Sequence, residues 1–307
     1  MHMLLILTII NHENFMKNII VVTGGAGFIG ANLIKYLIKK TKLKIISIDN
    51  YSTGSIKNHV KHKNIKYIKC ENINISKKLK PYIKKIKVIF HFGEFSRVFQ
   101  SFSKIKTCIN YNIYNSFEVI NFAKDNHIKI IYSATSSNLG NNGKDENSSP
   151  YSWCKSKNIE LIKNYSKWFG LKYELLFFYN VYGQGQICEG KMATLIGIFE
   201  NQYKNKKILT IVKPGSQKRD FTHIDDIIEG CYLAMQKGKN NEYMFCSGKK
   251  YSIIEIAKMF GIKYKFIPQR AGDRSDSITL NDNAKKILGF NAKKDIKTYI
   301  KDFIIAN

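Results

Sequence analysis

Continuous apolar runs rich in Ile and Val alternate, over the first part of the chain, with segments whose apolar residues recur at helical spacing. The runs Ile19–Thr23, Lys44–Asp49, Lys66–Cys70, Val88–Phe92, Lys129–Ser133 and Tyr173–Asn180 read as strands. Gly27–Lys40, Ile105–Asn126 and Tyr151–Phe169 read as helices. A strand with one wet face would alternate apolar and polar residues. These runs do not, so they suit strands covered on both faces. The alternation predicts βαβ units, hence an α/β fold with a doubly wound parallel sheet. After Tyr182 the pattern becomes irregular. A helix from about Met192 to Asn205, short strands, and helices near 252–260 and 296–304 predict a smaller mixed α/β domain. The larger domain is expected over 16–180 with a returning segment near 213–237, and the smaller one over 181–212 and 238–307. Met3–Ile10 is apolar, but no basic n-region precedes it and no small-residue cleavage site follows it. It does not read as a secretory signal. Met16 stands directly before the first strand, so residues 1–15 are expected to be a dispensable extension.

Composition narrows the classes. Apolar residues at 44% and charged residues at 24% describe a packed protein rather than a disordered one. No apolar run approaches the ~20 residues needed to cross a bilayer. Six cysteines without a CxxC pair fit a reducing cytoplasm and argue against a zinc site or a disulfide framework. The net charge of +27 permits nucleic-acid binding. However, the lysines are spread along the chain beside many Ile and Asn, and no basic run accompanies a groove-reading motif. The charge reads as a compositional bias, and neither a nucleic-acid nor a membrane partner is expected. Only four of the 50 basic residues are arginines: Arg97, Arg219, Arg270 and Arg274. Where Lys is the default cation, a retained Arg marks a place that needs the planar, bidentate fork.

The first strand runs straight into Thr23-Gly24-Gly25-Ala26-Gly27-Phe28-Ile29-Gly30 and then a helix. Gly24 permits the tight turn, Gly27 close approach to a pyrophosphate, and Gly30 close packing of helix on strand. The anion would sit on the helix N-terminus. Asp49 ends the second strand about 20 residues further on, where a carboxylate accepts from ribose hydroxyls and repels a 2′-phosphate. This predicts a Rossmann-type fold that binds NAD rather than NADP. A glycine-rich turn without a ligand is the plain alternative.

Tyr151 and Lys155 share a helix face at spacing i, i+4. A neighbouring ammonium favours the phenolate, so the phenol can serve as a base. A Tyr-x-x-x-Lys alone is common, but this one follows the fifth strand and the turn Ser133-Ala134-Thr135-Ser136-Ser137-Asn138-Leu139-Gly140. The glycine spacing and the segment Asp49-Asn50-Tyr51-Ser52-Thr53-Gly54 resemble the extended short-chain dehydrogenases/reductases that act on nucleotide sugars. The resemblance runs from about residue 17 to 304. It implies Thr135, Tyr151 and Lys155 as the catalytic set, with Thr135 bonding the sugar O4. It implies cofactor contacts from Phe28, Ile29, Asn50, Ser52, Thr53, Gly54, Phe92, Gly93 and Asn112, and from Lys155 to the nicotinamide ribose. Cys70-Glu71-Asn72-Ile73 loosely matches the adenine-contacting segment. His91-Phe92-Gly93-Glu94 falls where the family usually carries His-x-Ala-Ala, so Gly93 and Glu94 depart from it.

Lys218-Arg219-Asp220-Phe221-Thr222-His223 and Arg270-Ala271-Gly272-Asp273 resemble the family's elements that grip a UDP-sugar. They imply Arg219 and Arg270 on the diphosphate and Asp273 on the nucleotide ribose, while Tyr179-Asn180-Val181-Tyr182-Gly183 places Asn180 on a phosphate. Ser277, seventh after Arg270, falls where UDP-hexose 4-epimerases line the sugar's C2 substituent, and a serine leaves room for an acetamido group. Dehydratases carry Asp-Glu directly after the catalytic Thr and decarboxylases a Glu, whereas this chain has Ser136-Ser137. The expectation is therefore a UDP-hexose or UDP-N-acetylhexosamine 4-epimerase working through a 4-keto sugar. A 4-keto reductase or C4 dehydrogenase, and a catalytically silent nucleotide-binding regulator, stay open. Apolar Ile105, Ile109, Ile113, Trp168 and Phe169 on the two long helices, paired in related enzymes, predict a homodimer.

Overall fold

The computed structural model describes residues 17–139, 145–269, 272 and 278–307. Its strands are β1 (Ile19–Thr23), β2 (Lys44–Asp49), β3 (Ile65–Lys69), β4 (Ile86–His91), β5 (Lys129–Thr135), β6 (Tyr173–Phe178), β7 (Asn180–Tyr182), β8 (Leu209–Val212), β9 (Lys218–His223), β10 (Glu242–Phe245), β11 (Lys250–Ser252) and β12 (Tyr264–Ile267). Among the described residues, seven of them form a parallel sheet in the order β10-β6-β5-β4-β1-β2-β3. Order reverses at β1 and β4, the switch point at which α/β sheets bind ligands. The doubly wound α/β fold is present as the pattern predicts.

The helices are α1 (Phe28–Lys40), α2 (Ile75–Leu79), α3 (Val98–Ser103), α4 (Ile105–Ile109), α5 (Asn115–Asp125), α6 (Pro150–Phe169), α7 (Leu195–Lys204), α8 (Ile224–Lys237), α9 (Ile253–Met259) and α10 (Ile296–Ile305). On one face of the sheet, Ile75 and Leu79 of α2, Val119 and Ile120 of α5 and Ile162 of α6 pack on Val21, Ile89 and Ile130. On the other, Leu33, Ile34 and Leu37 of α1 and Ile227, Ile228 and Cys231 of α8 pack on Ile20, Val22 and Leu176. Both faces are covered, which is why the strands read as unbroken apolar runs. The remaining elements build a separate core around Tyr182, Phe199, Leu209, Phe221, Ile256 and Ile300. A three-stranded sheet, β11-β9-β7, and a parallel pair, β12-β8, frame it.

Three elements differ from the sequence reading. The run Tyr173–Asn180 is two strands, because the chain leaves the large sheet at Tyr179, whose hydroxyl donates to Ile278 O at 2.6 Å, and enters the small one. The helix Ile105–Asn126 is interrupted by a π-turn over Asn110–Tyr114. Glu242–Phe245, within the stretch read as the smaller domain, pairs in parallel with β6 at the sheet edge. No helix among the described residues is long and apolar enough to cross a membrane. The proposed extension 1–15 lies outside the described residues.

Candidate active site

The carboxyl ends of β1, β2, β4, β5 and β6 open into one cavity of about 430 Å³. Gly24, Gly27, Phe28, Ile29 and Gly30 line one end. Gly24 has φ +70°, and a Cβ there would lie 2.8 Å from Gly93 N. A Cβ on Gly30 would lie 2.2 Å from Gly24 O, so neither position admits a side chain. Gly27 caps α1 without a side-chain bond, which leaves first-turn N–H groups for an anion. The buried Asp49 carboxylate accepts from Ala26 N at 2.9 Å and Tyr51 N at 2.8 Å. Those bonds fix its direction and leave lone pairs for a diol. Asn50, Ser52, Thr53, Cys70 and Asn72 continue the wall. Asn72 donates to Gly93 O at 2.8 Å and joins the end of β3 to that of β4.

At the other end, Ser149 starts α6 by accepting from Ser152 N at 3.1 Å, with Pro150 in the first turn. Tyr151 and Lys155 therefore face the cavity from the first two turns, both buried. The Tyr151 hydroxyl has no hydrogen-bond partner among the described residues, while Lys155 Nζ donates to Ser133 O and to Glu94. Thr135, at the end of β5, accepts from Ser137 N at 3.1 Å and lines the cavity beside Ser136. Glu94 is buried and takes four donors. Oε1 accepts from Ser116 at 2.8 Å, Tyr132 at 2.9 Å and Asn158 at 3.1 Å, and Oε2 is paired with Lys155. Arg97 joins this wall, its guanidinium donating to Met192 O and Ser96 O.

His91 links the two ends. Thr23 Oγ1 accepts from Phe92 N and Gly93 N, so its own proton goes to His91 Nδ1 at 2.7 Å. His91 Nε2 then donates to Ser116 at 2.9 Å, and Ser116 to Glu94. Burial pushes the His91 imidazole down to about 4, against the opposing pull of Glu94, so the ring is neutral near pH 7.

Residues 20–247 match the NAD dependent epimerase/dehydratase family. The chain belongs to that family. A UDP-glucose 4-epimerase of Thermotoga maritima, solved with UDP-glucose, is 25% identical with a TM-score of 0.86, covering 94% of this chain and 97% of the other. A UDP-N-acetylglucosamine 4-epimerase of Methanobrevibacter ruminantium, solved with UDP-N-acetylmuramic acid, is 26% identical with a TM-score of 0.83, covering 94% and 96%. UDP-glucuronic acid decarboxylase 6 of Arabidopsis thaliana is 25% identical over 94% of this chain and 88% of its own.

The family's cofactor, NAD, is also that of this chain. The cavity fits it: a glycine cradle that a Cβ would fill, an open helix N-terminus, and a fixed carboxylate aimed at the same space. Phe92, Gly93 and Asn180 line the cavity as well, Asn180 donating to Asp220 O at 2.8 Å. Three expected residues stand apart from it. Gly54 lies behind the lining, where a Cβ would meet Ala26 at 2.9 Å. Asn112 is fully buried, accepting from Phe95 N at 2.6 Å and donating to Phe95 O at 2.9 Å, so it braces the loop after β4 rather than facing the cavity. The π-turn presents it for that double bond. Arg219, on β9, is buried outside the lining and donates to Lys218 O at 2.8 Å. Arg270, Asp273 and Ser277 lie outside the described residues. Arg97 is a wall residue that sequence reasoning left unassigned, and its rarity as an arginine was the available signal.

Proposed function

We propose that the protein epimerises C4 of a UDP-hexose or UDP-N-acetylhexosamine through a 4-keto intermediate. The observation that carries this is the convergence of Thr135, Tyr151 and Lys155 on one cavity with no free acid beside them among the described lining residues. Among the described lining residues the carboxylates are Asp49 and Glu94. Asp49 belongs to the far end, and Glu94 is paired with Lys155. Eliminating water from C5–C6 would need a further acid and base, which Ser136 and Ser137 do not supply.

When bound, NAD supplies a hydride acceptor and donor. Tyr151 takes the proton of the sugar 4-hydroxyl and later returns it, Thr135 orients O4, and Lys155 holds the nicotinamide ribose. The 4-keto sugar turns within the cavity and is reduced on its other face. The seven-stranded sheet and its helices carry the cofactor, and the part built on the β11-β9-β7 and β12-β8 sheets the sugar nucleotide, Arg219, Arg270 and Asp273 on its UDP and Ser277 beside C2. Exposed Phe102, Ile105, Phe117, Trp153, Trp168 and Phe169 on α3–α6 form the face of a homodimer.

Purified protein given UDP-N-acetylglucosamine and no added cofactor is expected to yield UDP-N-acetylgalactosamine, read by nuclear magnetic resonance. A need for added NAD(P)H with net sugar reduction would replace this reading with the 4-keto reductase. Asp49→Ala is expected to weaken NAD and raise relative affinity for NADP, since the repelling carboxylate is gone. Unchanged discrimination in a binding titration would remove Asp49 from the cofactor site.

A further inference from the structure

Glu94 departs from the His-x-Ala-Ala that the family resemblance implies after the fourth strand, and it puts a carboxylate into the reaction end of the cavity. Its side chain is 2% exposed and that of Lys155 4%, so the pair is shielded from solvent. Burying a carboxylate is costly unless its lone pairs are engaged. Here every partner is specific. Ser116 and Asn158 come from the helices flanking the sheet and Tyr132 from β5, all on Oε1, and this leaves Oε2 for the ammonium. The Lys155 ammonium also lies 4.6 Å from the centre of the Tyr132 ring. It is thus fixed from several sides before any ligand arrives.

The charges around it can be counted. His91 is neutral near pH 7, so Glu94 is the anion that compensates Lys155 in this wall. Among the described residues, the half-buried Arg97 guanidinium, which lines the same cavity, has backbone carbonyl partners only. Without Glu94 the described residues of the reaction end would carry two cations and no anion. An oxidised nicotinamide ring is cationic and a reduced one is neutral. The local field therefore acts on the balance between them.

We infer that Glu94 is a positioning residue that holds the Lys155 ammonium and offsets its charge, and so sets how far the pocket favours oxidised over reduced cofactor. The inference rests on Lys155 facing the nicotinamide ribose. An epimerase must both take a hydride and return it, so a pocket strongly biased to either form would stall half the cycle.

The test is a charge series on the full chain. Each protein is equilibrated with equal NAD and NADH, freed of unbound cofactor, and the bound ratio read from absorbance at 340 nm. Glu94→Gln leaves the ammonium unpaired and is expected to shift the ratio about tenfold toward NADH, the scale of one charge interaction in a partly shielded site. Lys155→Met leaves the carboxylate unpaired and should shift it the opposite way. The double variant Glu94→Gln/Lys155→Met should return close to the wild-type ratio. Structural damage would not produce shifts of opposite sign that cancel. If Lys155→Met moves the ratio and Glu94→Gln does not, the inference fails while the reading of Lys155 survives. If neither moves it, both fail. Should Glu94→Gln not fold, a double variant with the ratio of Lys155→Met alone overturns the role of Glu94.

Discussion

Replacing Tyr151 with phenylalanine is expected to lower turnover at least ~10²-fold and leave the fold intact, the usual scale for a positioned acid–base group. The ring is buried against Phe95, Cys108 and Cys154, and phenylalanine keeps that packing. The lost hydroxyl has no partner among the described residues, so its removal orphans none of them. Initial rates with the UDP-sugar test the first half and the melting temperature the second. Near-normal turnover would sink the assignment of Tyr151 as base. Low turnover with a lowered melting temperature would point to damage instead.

Stability is expected to fall by about 3 kcal/mol through His91 as pH drops from its ordinary 6.5 to about 4. The sign follows from which state takes the proton first. The folded value is depressed, so between those two pH values the unfolded chain binds a proton that the folded one refuses. The contribution is complete above pH 6.5, shrinks across the window and is absent below about 4. The cause is structural. His91 is fully buried, and a protonated ring would press its Nδ1–H on Thr23 Oγ1 as a third donor beside two backbone N–H groups. Denaturant titrations across the window would measure it against His91→Gln, which does not titrate. Parallel slopes in the two proteins would remove His91 as the origin. Carboxylates also titrate in this range, but they are common to both proteins and drop out of the difference.

Much of the cofactor end was legible because its chemistry is local in sequence. A strand, a glycine turn and a helix follow one another, and Asp49 closes the next strand, so spacing alone locates them. That Thr135, Tyr151 and Lys155 share one cavity was legible for the same reason. What sequence could not show depends on residues brought together from far apart. Glu94 is 61 positions from the lysine it holds, and Arg97 donates to a carbonyl 95 positions away. Asn112 falls in a helix at a cofactor-like spacing, yet the π-turn directs it to Phe95. A single extra residue in a helical turn rotates the following stripe by about 100°, a phase change that so short a segment does not reveal. Glu242–Phe245 escaped notice because four residues are too few to show a pattern.

That outermost strand also governs the order in which the protein can be completed. β10 pairs in parallel with β6, but residues 179–241 separate the two and build much of the second core on the way. During synthesis Leu175–Phe178, buried in the finished fold, remains an open apolar edge until the ribosome has released residue 245. Closing so long a connection is slow, and an unpaired apolar strand is a template for other chains. A chain released early, before Glu242, would keep that edge permanently. The protein is thus most prone to aggregate not when folded, but while the stretch between these two strands, residues 179–245, is still being made.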